Sequence, residues 1–268
     1  MGDLEQLWPE GPVLRQAPHF RLGTDCVLLA DFVRADAARR GIELGCASGA
    51  AMLLLLARTQ KLHMTGLELN AEAAELAREN MAANAFTERS AVVTGDLRRC
   101  RELFPAGSFD LVVANPPYYP LGSGALPADA ARAEARAETC CTLDELCAAA
   151  SWLLHTGGAA CLVHKPERLS ELLVSLTAHG LEPKRLRLVC ARPGAAPSLA
   201  LIEGRRGGAP GLVIERDLIL EDENGAPSLV LVEARRGGKP GLRIEPPLLL
   251  RGEDGGESEE LRRICRRG

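Results

Sequence analysis

The chain has 268 residues, of which 46% are hydrophobic and 25% are charged, and its formal net charge is −4. This composition is ordinary for a globular protein and excludes a largely disordered chain. The negative net charge excludes a general polyanion binder, so any contact with nucleic acid has to come from a local basic surface. The nine cysteines form no Cys-x-x-Cys pair or Cys/His cluster of the kind that holds zinc, and we expect no metal.

Residues 1–23 contain proline and glycine and predict an irregular arm or a short hairpin. They lack a basic segment followed by an apolar one, so we expect no secretory signal, no membrane association and a cytoplasmic protein with reduced thiols. Thr24 and Asp25 then offer an N-cap for a helix that starts at Cys26. The polar turn before this helix could also face a ligand.

A first strand, from Arg40 to Leu44, runs into a glycine-rich turn and then into a helix from Ala51 to Arg58. Glycine lets the backbone approach a ligand closely at a helix N-terminus, where free amides attract carboxylate or phosphate groups. The residues of this pattern are Glu43, Gly45, Ala47 and Gly49.

Two further strands end in acids. The second strand ends in Glu68, roughly 20 residues after the glycine turn, where an acid commonly holds ribose hydroxyls. The third strand, from Ser90, ends near Asp96 and Leu97. Each acid alone could be a surface cap, but the three consecutive signals at strand ends favour one ligand site.

A fourth strand, from Phe109 to Ala114, is a short apolar run that ends in a polar, rigid and aromatic segment. This segment is Asn115-Pro116-Pro117-Tyr118-Tyr119. The prolines fix the chain and leave carbonyls to accept hydrogen bonds. An amide beside such carbonyls suits an NH2 group, and an aromatic face suits stacking on a planar substrate. The segment therefore predicts a site for a planar amine.

The alternation of strands and helices predicts a doubly wound α/β fold of the Rossmann type, with ligands at the carboxyl ends of the strands. We expect a mostly parallel sheet of seven strands whose last strand is antiparallel. A nicotinamide-dependent dehydrogenase fits less well, because the segment after the fourth strand has no role in hydride transfer.

The end of the chain contains a duplication. Pro197 to Ala226 and Pro227 to Gly256 align without a gap and are identical at more than half of their positions. Without a third copy, this indicates a tandem duplication and not a solenoid. We expect Ser198 to Glu203 to form the last strand, although Ser228 to Glu233 could take the same place. The spare copy could then extend the sheet, pack outside it, or swap into a neighbouring molecule to form a homodimer.

A basic cluster lies between Lys184 and Arg206, where six cations stand against the single acid Glu203. It could line a path for phosphates, or it could be a solvated sheet edge. We accordingly divide the chain into an arm (1–23), a catalytic domain (24–196), the duplicated β unit (197–256), of which one copy completes the sheet, and a charged tail (257–268).

Several of these segments resemble known methyltransferase motifs. The glycine turn resembles motif I of the Rossmann-like methyltransferases, with Ala47 where the middle glycine usually stands, and Asn115-Pro116-Pro117-Tyr118 resembles motif IV of the S-adenosylmethionine-dependent amino-methyltransferases. Other segments extend the resemblance to the bacterial tRNA1(Val) adenine-N6 methyltransferase family. They are Phe20-Arg21-Leu22-Gly23-Thr24-Asp25, Ala135-Arg136-Ala137-Glu138 and His164-Lys165-Pro166-Glu167-Arg168.

The resemblance implies methyl transfer from S-adenosylmethionine to the exocyclic nitrogen of an adenosine in tRNA. It implies that Glu43, the 45–49 turn and Glu68 hold the cofactor, with Asp96 and Leu97 at its adenine. It implies that Asn115 and Pro116 accept the hydrogens of the target amine beside the cofactor, and that Pro117 and Tyr118 complete the catalytic motif, with Tyr118 stacked on the base.

Two alternatives stay open. Protein glutamine-N5 methyltransferases that act on release factors use the same four-residue motif, but they usually carry a helical N-terminal domain, and few residues precede the first helix here. A non-catalytic protein that keeps the cofactor fold is the other alternative, which Ala47 leaves possible and which the intact motif at Asn115 and Tyr118 disfavours.

Overall fold

The computed structural model describes residues 4–8, 10–17, 22–116, 141–193 and 195–220. The strands are β1 Leu4–Gln6, β2 Val13–Arg15, β3 Arg40–Leu44, β4 His63–Glu68, β5 Ser90–Thr94, β6 Phe109–Ala114, β7 Leu154–His164, β8 Leu181–Cys190, β9 Pro197–Arg206, β10 Val213–Ile214 and β11 Leu218–Ile219. The helices are α1 Thr24–Phe32, α2 Ala50–Arg58, α3 Ala71–Ala83, α4 Cys100–Leu103, α5 Leu143–Leu153 and α6 Leu169–Ala178.

One large sheet runs through these elements in the order β10-β8-β9-β7-β6-β3-β4-β5, with β11 also paired to β8. Strands β7, β6, β3, β4 and β5 are mutually parallel. Strand β9 lies between β7 and β8 and is antiparallel to both. The predicted α/β fold with a mostly parallel sheet is therefore confirmed.

The prediction of seven strands is wrong for the described part of the chain, where the sheet has nine. The two additional strands are short. β10 pairs with Arg185 and Leu186, and β11 pairs with Val189 and Cys190, both on the outer side of β8. Both strands follow β9 directly in sequence. After Arg206 the chain turns back and lies along the outer edge of β8, which would otherwise be exposed.

Helices cover both faces of the sheet, as the alternation of side chains along buried parallel strands requires. Val113 of β6 belongs to a buried cluster with α1 and α2. Its neighbour Val112 points to the opposite face and belongs to a second cluster with α5 and α6. The apolar run in β6 therefore packs two separate helical layers, which makes the end of this strand a rigid platform.

The first 23 residues include the expected hairpin, since β1 and β2 pair in antiparallel fashion. The expected N-cap of α1 is wrong in detail. The helix starts at Thr24, Gly23 takes the N-cap position, and no side chain caps the helix. The carboxylate of Asp25 accepts a hydrogen bond from the amide of Cys26 instead, at 2.8 Å.

The first copy of the duplicated segment provides β9. Because β9 is hydrogen-bonded on both sides, to β7 and to β8, it is an inner strand of the sheet. The sheet therefore continues across the boundary that we drew at residue 196. The second copy, 227–256, lies outside the described residues.

Candidate active site

The strand ends at which the sequence predicts ligand-binding residues lie side by side. Leu44 at the end of β3 is the register partner of both Leu67 in β4 and Ala114 in β6, and Glu68 is the partner of Thr94 in β5. Across the carboxyl edge of the sheet the order is therefore Asn115, the glycine turn, Glu68 and Asp96. Since neighbouring strands lie about 4.8 Å apart, these residues form a continuous edge.

The glycine turn uses the left-handed backbone region three times. Gly45, Ala47 and Gly49 have φ angles of 73°, 46° and 77°. Glycine adopts this region at little cost, whereas an alanine in it carries steric strain between its methyl group and the backbone. Ala47 therefore keeps the conformation of the turn, and it does so under strain.

Gly45 and Gly49 differ in the space that surrounds them. A methyl group at Gly49 would lie 3.2 Å from the Cβ of Ala77 and 3.3 Å from the Cε of Met81, so Gly49 allows α3 to pack against the turn. A methyl group at Gly45 would meet no protein atom within 4 Å, among the residues that the structure describes. The turn is thus tight on its protein side and open at Gly45, as a ligand cradle requires.

Glu68 joins the turn to the next helix. Its Oε2 accepts a hydrogen bond from the amide of Ala47 at 2.8 Å, and its Oε1 accepts one from the amide of Asn70 at 2.8 Å. Asn70 in turn caps α3 by accepting from the amides of Glu72 and Ala73. The carboxylate is therefore held in a fixed orientation, and each of its oxygens retains a second lone pair for a ligand hydroxyl.

Glu43 lies inside the protein. Its side chain is 3% exposed, and its Oε2 accepts a hydrogen bond from the amide of Met52 in α2 at 3.1 Å. Burial raises the pKa of Glu43 to about 8, so the carboxyl group carries a proton at neutral pH. In this structure Glu43 fixes the end of β3 to the first turn of α2, and its contact with a cofactor stays a prediction.

Asp96 and Leu97 follow β5. The Asp96 carboxylate caps the short 3-10 helix Leu97–Arg99 and accepts hydrogen bonds from the amide of Arg98 at 2.9 Å and from its Nε at 3.0 Å. The bond from the Arg98 side chain lowers the pKa of Asp96. Leu97 is half-buried against the α5 and α6 cluster. An ionised acceptor therefore stands at the predicted adenine position, paired with a partly exposed arginine.

Asn115 is the predicted acceptor residue at the end of β6, and Pro116 after it is buried. The Nδ2 of Asn115 donates a hydrogen bond to Oδ2 of Asp25, at 3.1 Å. This contact joins the end of β6 to the first turn of α1. Pro117 and Tyr118 lie outside the described residues, so their predicted roles stay predictions.

The sequence did not identify a pair of asparagines that tie the N-terminal hairpin to the turn. Asn84, the C-cap residue of α3, accepts from the amide of Val13 at 2.8 Å and donates to its carbonyl at 2.7 Å. Asn80, one turn earlier, makes the same two bonds with Arg15 at 2.7 and 3.0 Å. Asn80 also donates to the carbonyl of Ser48 in the glycine turn, at 2.9 Å. Their spacing of four residues on one helix face is the signal that could have found them.

Much of the basic cluster is part of the scaffold. Arg185 is 7% exposed and pairs with Glu203 at 2.7 Å and with Glu215 at 3.1 Å, and its guanidinium lies over the ring of Phe32 at 4.1 Å. Arg205 pairs with the other oxygen of Glu203 at 2.8 Å. These contacts join β8, β9 and α1, so Arg185 and Arg205 are not free to line a path for phosphates.

Metal-ligand clusters and membrane-spanning helices are both absent from the residues that the structure describes. No three or more His, Cys, Asp or Glu side chains in ranges 4–8, 10–17, 22–116, 141–193 and 195–220 are grouped so that they could hold a metal ion. Across the same ranges, no helix has the length and apolar character needed to cross a membrane.

The chain is similar in sequence to known methyltransferases. Residues 19–176 match the family model of the methyltransferase small domain. A tRNA1(Val) (adenine(37)-N6)-methyltransferase from Porphyromonas gingivalis is 33% identical over 191 residues, covering 69% of this chain and 74% of that protein. One from Tolumonas auensis is 33% identical over 183 residues, covering 68% of this chain and 75% of that protein.

Solved structures give the same fold. A predicted O-methyltransferase from Agrobacterium tumefaciens has a TM-score of 0.61 and 25% identity, covering 75% of this chain and 89% of that chain. A precorrin-6y C5,15-methyltransferase from Geobacter metallireducens, at 14% identity and a TM-score of 0.51, covers 74% and 100% and shares the fold. Taken with its relatives, the chain belongs to the methyltransferase small-domain family and, within it, to the family of the tRNA1(Val) (adenine(37)-N6)-methyltransferases.

Proposed function

We propose that this protein transfers a methyl group from S-adenosylmethionine to the exocyclic N6 of an adenosine in tRNA. The observation that carries the proposal is the register of the sheet, which places Asn115 beside the glycine turn because Ala114 and Leu44 are partners. A cofactor cradle and an acceptor for an amine are thereby adjacent. The relatives, which are named for N6 methylation of adenine 37 in tRNA1(Val), supply the substrate class.

The residues at the edge fit the cofactor. The open space at Gly45 leaves room for close approach of a ligand to the backbone. Glu68 is oriented by two amides and suits ribose hydroxyls. Asp96, with its lowered pKa, suits an adenine amino group as hydrogen-bond acceptor. When bound, the cofactor supplies an activated methyl group on a positively charged sulfur, which is a good leaving group.

The acceptor half of the site positions the amine. In the proposed reaction Oδ1 of Asn115 and the carbonyl of Pro116 accept the two hydrogens of N6, which directs the nitrogen lone pair at the methyl carbon. Tyr118 stacks on the unstacked base and Pro117 stiffens the turn. These roles of Pro116, Pro117 and Tyr118 rest on the family motif.

The reaction balances without a general base before the attack. With S-adenosylmethionine bound, a bond would form between N6 and the methyl carbon as the bond from that carbon to sulfur breaks, and the electron pair of the broken bond would pass to sulfur. The surplus proton on N6 passes to water after transfer. The protein therefore contributes mainly position and orientation, which can account for a large part of the rate. Because tRNA is matured in the cytoplasm, we place the reaction there.

The test is transfer of a radiolabelled methyl group from S-adenosylmethionine to total bacterial tRNA, with a release factor in a parallel reaction. We expect label in tRNA as N6-methyladenosine and its loss in Asn115→Ala. Label in the release factor alone would instead assign the protein to glutamine methylation. Cofactor binding with transfer to neither substrate would support a non-catalytic binding protein and contradict the proposal.

A further inference from the structure

The contact between Asp25 and Asn115 joins two parts of the chain that are 90 residues apart in sequence. Asp25 lies in the first turn of α1, and Asn115 directly follows β6. Asp25 belongs to a segment that the sequence suggested only as a helix cap or a ligand-facing turn. The structure places its carboxylate 3.1 Å from the amide nitrogen of the proposed acceptor residue.

The chemistry of this contact fixes the direction of the Asn115 amide. A carboxylate only accepts hydrogen bonds, so the group that Asn115 presents to Asp25 has to be its NH2 and not its carbonyl. Oδ1 and Nδ2 both lie in the amide plane, on opposite sides of the Cβ–Cγ axis, so Oδ1 points away from Asp25 when Nδ2 faces it. A negative charge at the NH2 also increases electron density on Oδ1, which strengthens it as an acceptor.

Asp25 is itself held in place. Its Oδ1 accepts from the amide of Cys26 at 2.8 Å, and α1 buries five of its nine residues. At the other end of α1, the carbonyl of Phe32 accepts from Arg185 at 2.8 Å. Gly23 leaves space for the carboxylate, because a methyl group there would lie 2.2 Å from Oδ1 of Asp25. The helix is therefore a rigid support for the carboxylate.

We propose that Asp25 is a positioning residue for methyl transfer, which holds the Asn115 amide with its oxygen directed toward the target amine. The proposal rests on the function proposed above and adds a residue from another part of the chain to that site. Asp25 does not contact the substrate in this account, and it acts through Asn115.

The first experiment is a double-mutant cycle measured as methyl transfer to tRNA. Asp25→Ala should lower kcat roughly 10- to 100-fold, while the affinity for S-adenosylmethionine and the Tm change little. The double variant Asp25→Ala/Asn115→Ala should be no slower than Asn115→Ala alone, because Asp25 has nothing left to orient. Asp36→Ala, at an exposed acid that follows α1, is the matched control and should leave kcat unchanged.

Gly23→Ala provides a second variant in which Asp25 is retained. Its methyl group displaces the carboxylate, so we expect a loss of kcat in the same direction as in Asp25→Ala. An unchanged kcat in both Asp25→Ala and Gly23→Ala, or losses in the cycle that simply multiply, would overturn the proposal.

A second measurement does not depend on the substrate. The side-chain amide of Asn115 can be identified in a 15N spectrum as the NH2 signal that is lost in Asn115→Ala. We expect this signal to shift and to exchange faster with water in Asp25→Ala, and to be unaffected in Asp36→Ala. If tRNA is not methylated but this signal responds to Asp25→Ala, the proposed function fails and the orienting contact stands. An NH2 signal that is indifferent to Asp25→Ala overturns the contact itself.

Discussion

At the ends of β3, β4 and β5, the ligand-facing groups are bound to near neighbours. Glu68 accepts from Ala47 and Asn70, and Asp96 accepts from Arg98. At the end of β6, by contrast, Asn115 is hydrogen-bonded to Asp25 of α1, a helix that precedes all strands of the large sheet in the sequence. The cofactor half of the edge is thus organised by adjacent strands and turns, whereas the acceptor half includes a long-range contact between two side chains.

This difference suggests how the two halves respond to change. A network of short-range bonds to backbone amides keeps its geometry when one member is altered, since the strand register is maintained by the sheet itself. A contact between two side chains from distant parts of the chain is not supported by the strand register in this way. We therefore expect substitutions in the cofactor half to change affinity for S-adenosylmethionine, and substitutions in the acceptor half to change the rate of transfer.

The largest effect is expected from Asn115→Asp. The substitution keeps an acceptor oxygen but places a carboxylate within hydrogen-bond distance of Asp25, where two like charges repel. Transfer should fall roughly 100-fold or more, with little change in cofactor affinity. The exchange Asp25→Asn/Asn115→Asp restores a carboxylate–amide pair and should recover part of kcat. An exchange variant slower than Asn115→Asp would contradict the comparison.

Glu68→Gln should produce the next largest effect, in the opposite half. An amide keeps the shape but removes the charge and presents an NH2 to an amide donor, so affinity for S-adenosylmethionine should fall about tenfold or more. At saturating cofactor, kcat should stay near the unaltered value. Glu72→Gln, at an exposed position in the first turn of α3, is the control for calorimetric titration. A lowered kcat with unchanged affinity would argue against the assignment of Glu68 to the cofactor half.

The two asparagines of α3 sharpen the comparison within the cofactor half. Asn80 is fully buried and binds both Arg15 and Ser48, whereas Asn84 binds the hairpin at Val13 but not the turn. Asn80→Ala should lower the free energy of unfolding by about 2–3 kcal/mol and weaken cofactor binding. Asn84→Ala should lower stability without changing cofactor affinity. Urea unfolding measures the stability of each variant, and calorimetric titration measures its affinity for S-adenosylmethionine. Equal losses of affinity in Asn80→Ala and Asn84→Ala would refute a specific role for the Asn80–Ser48 bond.

The buried carboxyl group of Glu43 should make the stability of the protein depend on pH. Its pKa is raised from 4.5 to about 8 by burial, so the folded state holds this proton more tightly than the unfolded state. The stabilisation from the proton is fully present below about pH 4.5 and is lost as the pH rises to about 8. Glu43→Gln, which cannot ionise, should lack this decline. The free energy of unfolding, measured in urea at pH 5, 6, 7 and 8, should shift in favour of Glu43→Gln relative to the unaltered protein as the pH rises. A difference between the two proteins that does not depend on pH would contradict the buried, protonated state.

The smallest effect is expected from Ala47→Gly. With φ at 46°, Ala47 is strained in the left-handed region, and glycine should raise the free energy of unfolding by up to about 1 kcal/mol. Ala85, with φ of 56° and a position beyond α3, offers a matched control outside the site. Ala85→Gly should stabilise similarly and leave cofactor affinity unchanged. Loss of stability in Ala47→Gly would show that the alanine methyl makes contacts that outweigh the strain.

The sequence predicted the order of strands and helices well, because that order follows from local patterns. The apolar run of β6 and the glycines after β3 both have short-range signatures, and the rule that ligands bind at the carboxyl ends of parallel strands brought Asn115, Glu68 and Asp96 to one edge. The two short strands after β9 were not predicted, since two-residue strands have no periodicity to detect.

The support of the site could not be predicted in the same way. The hydrogen bonds that Asn115 donates to Asp25 and Asn80 donates to Ser48 join residues that are distant in sequence, and these residue types are also common in caps and on surfaces. The buried, protonated state of Glu43 depends on α2 closing over it, which no local pattern reports. Long-range side-chain contacts of this kind need the fold first.

The first copy of the duplicated segment provides β9 for a physical reason, which depends on residue sizes that could not be compared before the strand's neighbours were known. Ala200 and Ile202 in β9 are fully buried, and a methyl group at Gly204 would lie 3.3 Å from the Cβ of Leu181. The second copy has valine, valine and alanine at the equivalent positions 230, 232 and 234. The larger residues Val230 and Ala234 would overpack the sites of Ala200 and Gly204, and the smaller Val232 would leave a cavity at the site of Ile202. The first copy therefore fits this position in the sheet better.

The most direct test of the account is the chemical identity of the product. Bacterial tRNA would be incubated with the protein and S-adenosylmethionine carrying a trideuterated methyl group, digested to nucleosides and analysed by mass spectrometry. The account predicts trideuterated N6-methyladenosine, absent with Asn115→Ala and reduced with Asp25→Ala. Deuterium on another nucleoside, or on no nucleoside while the protein binds the cofactor, would contradict the claim that this edge methylates the exocyclic nitrogen of adenosine.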